Sequence, residues 1–402
     1  MDRREFLRTI GAAALVPAVG GLAAACGEEA GASNGKRKVR LGFISLTDCA
    51  SLVMAQELGY FAERGLDVSI QKQASWPATR DALLNRQIDG AHALFSLPLS
   101  VAAKVGGAGS TALKIAMVLN HNGQAITLNK DFASVGYGDL VKAKAALEAK
   151  NPTLAMTFPG GTHDLWLRYW LRAAKVDTSA VKIIPIPPPQ MVANMKVGTM
   201  DGFCVGEPWN AVAARQGVGF THLTTQDLWK GHPEKALVVG ERFATEKADD
   251  LRDVMAAILK ASRWLDDLGN RAEAVKVLAK PKYVNTSPEG IEGRLLGRYD
   301  LGAGLPARTY TDDMMRFFDD GAVNAPRRGH ALWFLAQYQR LGLVPRIADP
   351  EGLVDKIVLS DLYKDVAAAE KIDVPDDLEP FEVTLDHARF DPKNLAGEVA
   401  RA

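Results

Sequence analysis

Cysteine is scarce in this chain, with three in 402 residues. Cys26, Cys49 and Cys204 stand in separate segments and share no metal-ligand spacing. Cys49 and Cys204 read as buried free thiols. Excess charge is missing too, since 48 Lys and Arg balance 48 Asp and Glu. That balance argues against nucleic acid as a partner. No run beyond the N-terminus is long and apolar enough to span a bilayer. The sequence also lacks a Ser-His-Asp order, an H-E-x-x-H pair and a phosphate-cradling G-x-x-x-x-G-K-[ST] loop. GGAG at 106–109 has no such context and reads as a turn. Nothing points to an enzyme, a cofactor or a metal site.

The N-terminus carries more information. MDRREFLRTI holds the pair Arg3 and Arg4 ahead of Phe6 and Leu7. A weakly apolar, small-residue stretch follows and ends at Cys26. The pattern resembles a twin-arginine export signal joined to a lipoprotein cleavage site, here 1–26. It predicts export and lipidation of Cys26, which anchors the chain on the outer side of the cytoplasmic membrane. A soluble exported protein cut near the same place is the alternative. Residues 27–38 are small and polar and read as a flexible tether.

Between 39 and 210 the chain contains a weak repeat. The first copy runs from VRLGFISL through helix 50–58 and a second strand to ATRDALLNRQIDGAHAL. The second runs from TLAMTF through helix 164–174 and VKIIPIP to MVANMKVGTMDGFCV. Asp201-Gly202 in the second copy answers Asp89-Gly90 in the first. Each copy reads strand–helix–strand–helix–strand, the pattern of a small, mainly parallel sheet with helices on both faces. Two such units make a two-lobed α/β protein. Lobe 1 takes 39–124 and 236–402, and lobe 2 takes 125–235. Residues 248–268, DDMMRFFDD (312–320) and HALWFLAQYQRLGLV look helical and belong on lobe 1. The last thirty residues read as an extended arm.

Ligands of open parallel sheets sit beyond the carboxyl ends of the strands. Thr47-Asp48-Cys49, Trp76 and Gly160 to His163 stand at such ends. Gln124 and Lys235 lie where the chain crosses between lobes. In FPGGTHDLWLRYWL, Gly161 and His163 open a helix whose first N–H groups and partial positive charge favour an anion. Taken singly, each has a plain reading: Trp76 as packing, Gln124 as its own turn, Lys235 as surface. Together, Trp76, Gln124, Gly161, His163 and Lys235 offer an indole, an amide, backbone donors, an imidazole and an ammonium. No carboxylate is obvious among them, so the set describes a seat for a small oxyanion.

At these residues the sequence is similar to a known family. VRLGFISLTDCASLVMAQELGYFAERGLDV, QASWPATRDAL, NGQAITL, PGGTHDLWLRYWL, PPPQMVANMKVGTMDGFCVGEPWN and HPEKALVV resemble the nitrate/nitrite-binding and bicarbonate-binding lipoproteins of ABC transporters. The resemblance covers most of 38–400. It implies a two-lobed periplasmic-binding-protein fold that closes on its ligand and delivers it to a permease driven by an ATPase subunit. In the nitrate-binding branch the ligand contacts are a Trp, a Gln, a His and a Lys, which fall on Trp76, Gln124, His163 and Lys235. The bicarbonate-binding branch resembles it closely but carries an acidic residue at the position of Lys235 and uses calcium. Here Glu234 stands one place earlier. The expectation is nitrate or nitrite, with bicarbonate, or an anion sensor of the same fold, as the alternatives.

Overall fold

The computed structural model describes residues 36–401. The export signal, Cys26 and the tether up to residue 35 lie outside them. Arg37 and Lys38, expected in the tether, already belong to the first strand. They are drawn in by Arg37, which pairs with Asp250 at 3.0 Å and Asp253 at 2.6 Å.

The strands are β1 (Arg37–Phe43), β2 (Leu66–Lys72), β3 (Gly90–Leu94), β4 (Leu113–His121), β5 (Gln124–Asn129), β6 (Thr153–Met156), β7 (Lys182–Pro185), β8 (Gly202–Gly206), β9 (Gly219–Thr224) and β10 (Pro233–Gly240). They form two five-stranded sheets, β2-β1-β3-β10-β4 and β7-β6-β8-β5-β9. The sheets are mixed rather than purely parallel. In each, three strands pair in parallel, and the strand arriving from the other sheet enters antiparallel to both neighbours: β10 in the first, β5 in the second. The crossings lie between β4 and β5 and between β9 and β10. Gln124 therefore belongs to the second sheet and Lys235 to the first, the reverse of what boundaries at 124/125 and 235/236 give them.

The Asp-Gly repeat has a physical cause. Asp89 and Asp201 occupy equivalent places. Each backbone N–H donates across the sheet, to Arg40 O at 2.8 Å and to Thr153 O at 2.7 Å. Each carboxylate accepts the N–H of that same neighbour, at 2.8 and 2.9 Å. The glycine that follows starts a fully buried strand. A Cβ at Gly202 would stand 2.8 Å from Leu128 and 2.9 Å from Thr127 O, closer than real Cβ atoms come.

The helices that position the site are α1 (Ala50–Glu57), α2 (Trp76–Leu84), α3 (Thr162–Ala173), α4 (Ala248–Asp266), α5 (Arg328–Arg340) and α6 (Leu395–Ala400). α4 buries its apolar face against α1, as its spacing predicts. DDMMRFFDD is not a helix. The Asp266 carboxylate accepts the N–H groups of Phe317, Phe318 and Asp319 at 3.1, 2.8 and 2.8 Å, which takes donors a helix would need. α5 is not confined to lobe 1. Phe334 packs on Phe95, while Trp333 packs on Trp166 and Tyr169 of α3. The C-terminal arm is also more ordered than expected. It holds a hairpin, Phe381–Val383 paired with Ala388–Phe390, and then α6 against α5. Phe381 stacks on Trp229 with centroids 4.5 Å apart. Among the described residues no helix is long and apolar enough to cross a membrane.

Candidate functional site

Two buried walls face each other where the sheets meet. The first is built on β1, β3, α2 and β10. After β1 the chain turns at Thr47–Cys49, which puts Asp48 at the carboxyl end of the strand. Trp76 opens α2. Ser75 caps that helix by accepting the N–H of Ala78 at 3.2 Å, so Pro77 starts a helix rather than merely ending a strand. Glu234 and Lys235 lie at the start of β10. All four are fully buried, as is His92 of β3.

The Lys235 ammonium donates to Asp48 Oδ2 at 2.7 Å and to Glu234 Oε1. An ammonium has three donors, and among the described residues the third has no partner. The Nζ also stands 5.8 Å from the centre of the Trp76 ring. His92 Nε2 bonds Asp48 Oδ1 at 2.7 Å. Lys235 thus has two carboxylates beside it, contrary to the expected all-donor set. One of them, Glu234, is its neighbour in sequence. The other, Asp48, reaches it only because β1 and β10 flank β3.

The second wall is the start of α3 with β5. Gly161 is its N-cap, in extended conformation. Its own N–H is already given to Phe158 O at 2.9 Å. Its part is close approach: a Cβ there would meet Leu94 of the first sheet at 2.7 Å. The N–H groups of Thr162, His163 and Asp164 have no partner among the described residues, although all three residues are buried. The Asp164 carboxylate turns away from them to the N–H of Gly160 at 2.8 Å and to Arg168 at 2.7 Å. His163 lies between Gln124 Nε2 at 2.6 Å and Thr157 Oγ1 at 2.5 Å, so both ring nitrogens are engaged. Gln124 Oε1 and Trp76 Nε1 are buried and unpartnered.

The walls touch through Thr162, whose hydroxyl donates to Glu234 Oε1 at 3.2 Å, and His163 Nε2 comes within 3.9 Å of the same oxygen. Trp76, Gln124, His163 and Lys235 are therefore brought into one buried cluster, with Gly161 at its edge. The sequence reading left Asp48, His92, Glu234, Thr157 and Thr162 out of the contact set, although it marked Asp48 and Thr162 at strand ends and Glu234 beside Lys235. Asp48 stood in a segment already marked by its place after β1. Nothing in the sequence marked Thr157.

Burial governs the charges here. It drives His163 well below its ordinary range, helped by the Lys235 charge, so its imidazole is neutral. Burial also lowers His92, against the pull of Asp48. It opposes ionisation of Asp48 and Lys235, but their mutual attraction wins, holding the carboxyl low and the amine high. Glu234 has the same burial and also the Asp48 charge against it, and these outweigh Lys235 and push it up to about 7. Among the described residues no group of three or more His, Cys, Asp or Glu could hold a metal ion.

Comparison with known proteins agrees with this architecture. Residues 32–279 match the NMT1-like family. The nitrate/nitrite binding protein NrtA of Nostoc sp. is 37% identical over 98% of this chain and 96% of its own. The crystal structure of the periplasmic nitrate-binding protein NrtA from Synechocystis superposes with a TM-score of 0.85. It shares 35% identity over 90% of this chain and 98% of that one. The nitrate import ATP-binding protein NrtC of Synechocystis is 36% identical over 93% of this chain, which spans 56% of it. The fold is thus that of a periplasmic binding protein, and the chain belongs to the NMT1-like family, among its nitrate/nitrite-binding proteins.

Proposed function

We propose that this chain is the extracytoplasmic solute-binding component of an ABC importer, capturing nitrate, and nitrite as a close analogue, and handing it to a membrane permease. The observation that carries this reading is a set of buried donors without partners among the described residues: Trp76 Nε1, the first N–H groups of α3 and the third N–H of Lys235. Such donors cost free energy unless something accepts from them. Nitrate is planar, carries one negative charge and only accepts hydrogen bonds. The relatives named for nitrate support the same choice. The NrtC relative, an ATP-binding protein of nitrate import, supports delivery to an ATP-driven permease. In this reading Trp76, Gln124, Gly161, His163 and Lys235 hold or frame the ligand, and the protein carries its anion without transforming it.

Isothermal titration of the full-length protein with nitrate, nitrite and bicarbonate, each with and without calcium, tests this. Nitrate is expected to bind without calcium. No heat with nitrate at millimolar concentration would sink the proposal. Bicarbonate is the second reading. Asp48 and Glu234 favour it, because a carboxylate accepts the O–H that bicarbonate has and nitrate lacks.

We also propose that Cys26 carries a lipid that holds the exported protein at the membrane. Cys26→Ser is expected to move it from the membrane fraction to the soluble one. Retention of the variant in the membrane fraction would refute the anchor.

A further inference from the structure

Charge on the first wall does not add up to a plain anion seat. Lys235 brings one positive charge, and Asp48 and Glu234 together bring two negative ones when both are ionised. His163 and His92 are neutral. An anion entering this cluster would meet a net negative surround at close range, in a site where water does not screen. One oxygen explains how the conflict is relieved. Glu234 Oε2 is fully buried and accepts from nothing among the described residues, while its partner Oε1 takes both Lys235 and Thr162.

We propose that Glu234 is part of the anion seat and gains a proton as the anion enters, so that the protein captures one anion together with one proton. This deepens the nitrate reading and rests on it. A proton on Oε2 removes the surplus negative charge and turns a repelling acceptor into a further donor. The pair left behind, Lys235 with Asp48, is neutral, so the site as a whole takes up its anion against a balanced background.

Every charged or titratable group that faces Glu234 leaves it as the one that changes near neutral pH. From β10 itself, Lys235 is held above its ordinary value. Asp48, from the turn after β1, is held below its own. His163, from α3, is 3.9 Å away and is neutral. His232, from the β9–β10 crossing, is 4.0 Å away and is lowered by burial to about 3. Cys204, from β8, is pushed well up by burial and by Glu234 itself. Glu234 alone lies near 7.

The sign follows. At pH 6 the free protein already holds the proton, so nitrate binds with little uptake. Above about pH 7 the proton must come from solvent, and the nitrate Kd rises about tenfold per pH unit. Bicarbonate behaves differently. It donates its own O–H to the ionised carboxylate and needs no proton from water, so preference shifts away from nitrate as pH rises.

The test is titration calorimetry of the full-length protein with sodium nitrate at pH 6, 7 and 8.5, in two buffers of unlike ionisation enthalpy. The expected result is uptake near zero at pH 6 and approaching one proton at pH 8.5, with the Kd weakening in step. A Kd that stays flat over this range, with heats independent of buffer, would overturn the proposal while leaving nitrate binding intact. Glu234→Gln offers an amide N–H where the acid offers its O–H. It is expected to bind with a pH-independent Kd. Retention of the wild-type pH dependence by this variant would also overturn the proposal. Absence of nitrate heat at every pH would sink the nitrate reading, and this inference with it.

Discussion

The two walls of the site are made on different terms. The wall on β1, α2 and β10 is ionic, with an ammonium wedged between Asp48 and Glu234 and His92 behind. The wall on α3 and β5 is neutral: an amide, two hydroxyls and an imidazole already hydrogen-bonded, and the start of a helix whose first N–H groups have no partner among the described residues. The difference shows how a small anion can be held out of water. Charges buried alone are costly, so each carboxylate is paired with the ammonium within one wall before any ligand arrives. Neutral donors are cheaper to leave waiting, so they supply the opposite side, pre-set by the fold.

The largest effect should come from breaking the balance of the ionic wall. Lys235→Met leaves Asp48 and Glu234 buried without their cation. It is expected to cost about 3–5 kcal/mol in a urea titration and to abolish nitrate binding. A mild effect on both would mean that the ionic wall is not the anchor described here.

Acid attacks both walls at once. His92, His163, His222, His232 and His330 are buried and His121 is half-buried, with pKa values lowered chiefly by desolvation, His121 to about 4 and His232 to about 3. The unfolded chain protonates them below about 6.5 while the native fold does not, so stability falls as pH drops through that value. Asp164, Glu207 and Glu234 are raised by burial and act in the opposite direction, offsetting part of it. The net loss between pH 7.5 and 5.5 should be on the order of 3 kcal/mol, read from urea midpoints. Equal midpoints would mean that these histidines are not buried neutral.

Trp76→Phe sharpens the contrast from the ionic side. The indole N–H has no partner among the described residues, so the fold survives its loss. If it faces the anion, the nitrate Kd should rise by about tenfold to a hundredfold. An unchanged Kd would remove Trp76 from the contacts.

The smallest effect belongs to a residue that belongs to neither wall. The Tyr338 hydroxyl of α5 reaches Gly160 O at 2.6 Å on one lobe and Ser96 O at 3.2 Å on the other. It has one proton for two carbonyls, so the nearer bond holds the glycine turn against the first lobe. Tyr338→Phe should weaken nitrate binding by about fivefold, on the order of 1 kcal/mol, with little change in the far-ultraviolet spectrum. Unchanged affinity would show that the turn is held by packing alone.

Much of this was legible in the chain. The Asp-Gly pairs mark a repeated hydrogen-bond device, and repeated local chemistry survives in sequence because each copy solves the same backbone problem. Trp76 and His163 were legible because they sit beside a helix start that the sequence announces. DDMMRFFDD was misread because its apolar spacing imitates a helix, while the Asp266 carboxylate that claims its N–H groups lies 51 to 53 residues away in the chain. Asp48 was noticed for its place but not for its charge. Its tie to Lys235 spans 187 residues, and nothing local signals a contact of that kind.

By itself the sequence determined most elements of 39–210, the duplication and the residue types offered at the strand ends, because these follow from local periodicity and turn chemistry. Tertiary structure alone decided which charges meet. Pairing β10 beside β3 buries Lys235 between Asp48 and Glu234. The balance of ionic and neutral groups in the site depends on burial and distance, and neither is a property of a residue's place in the chain.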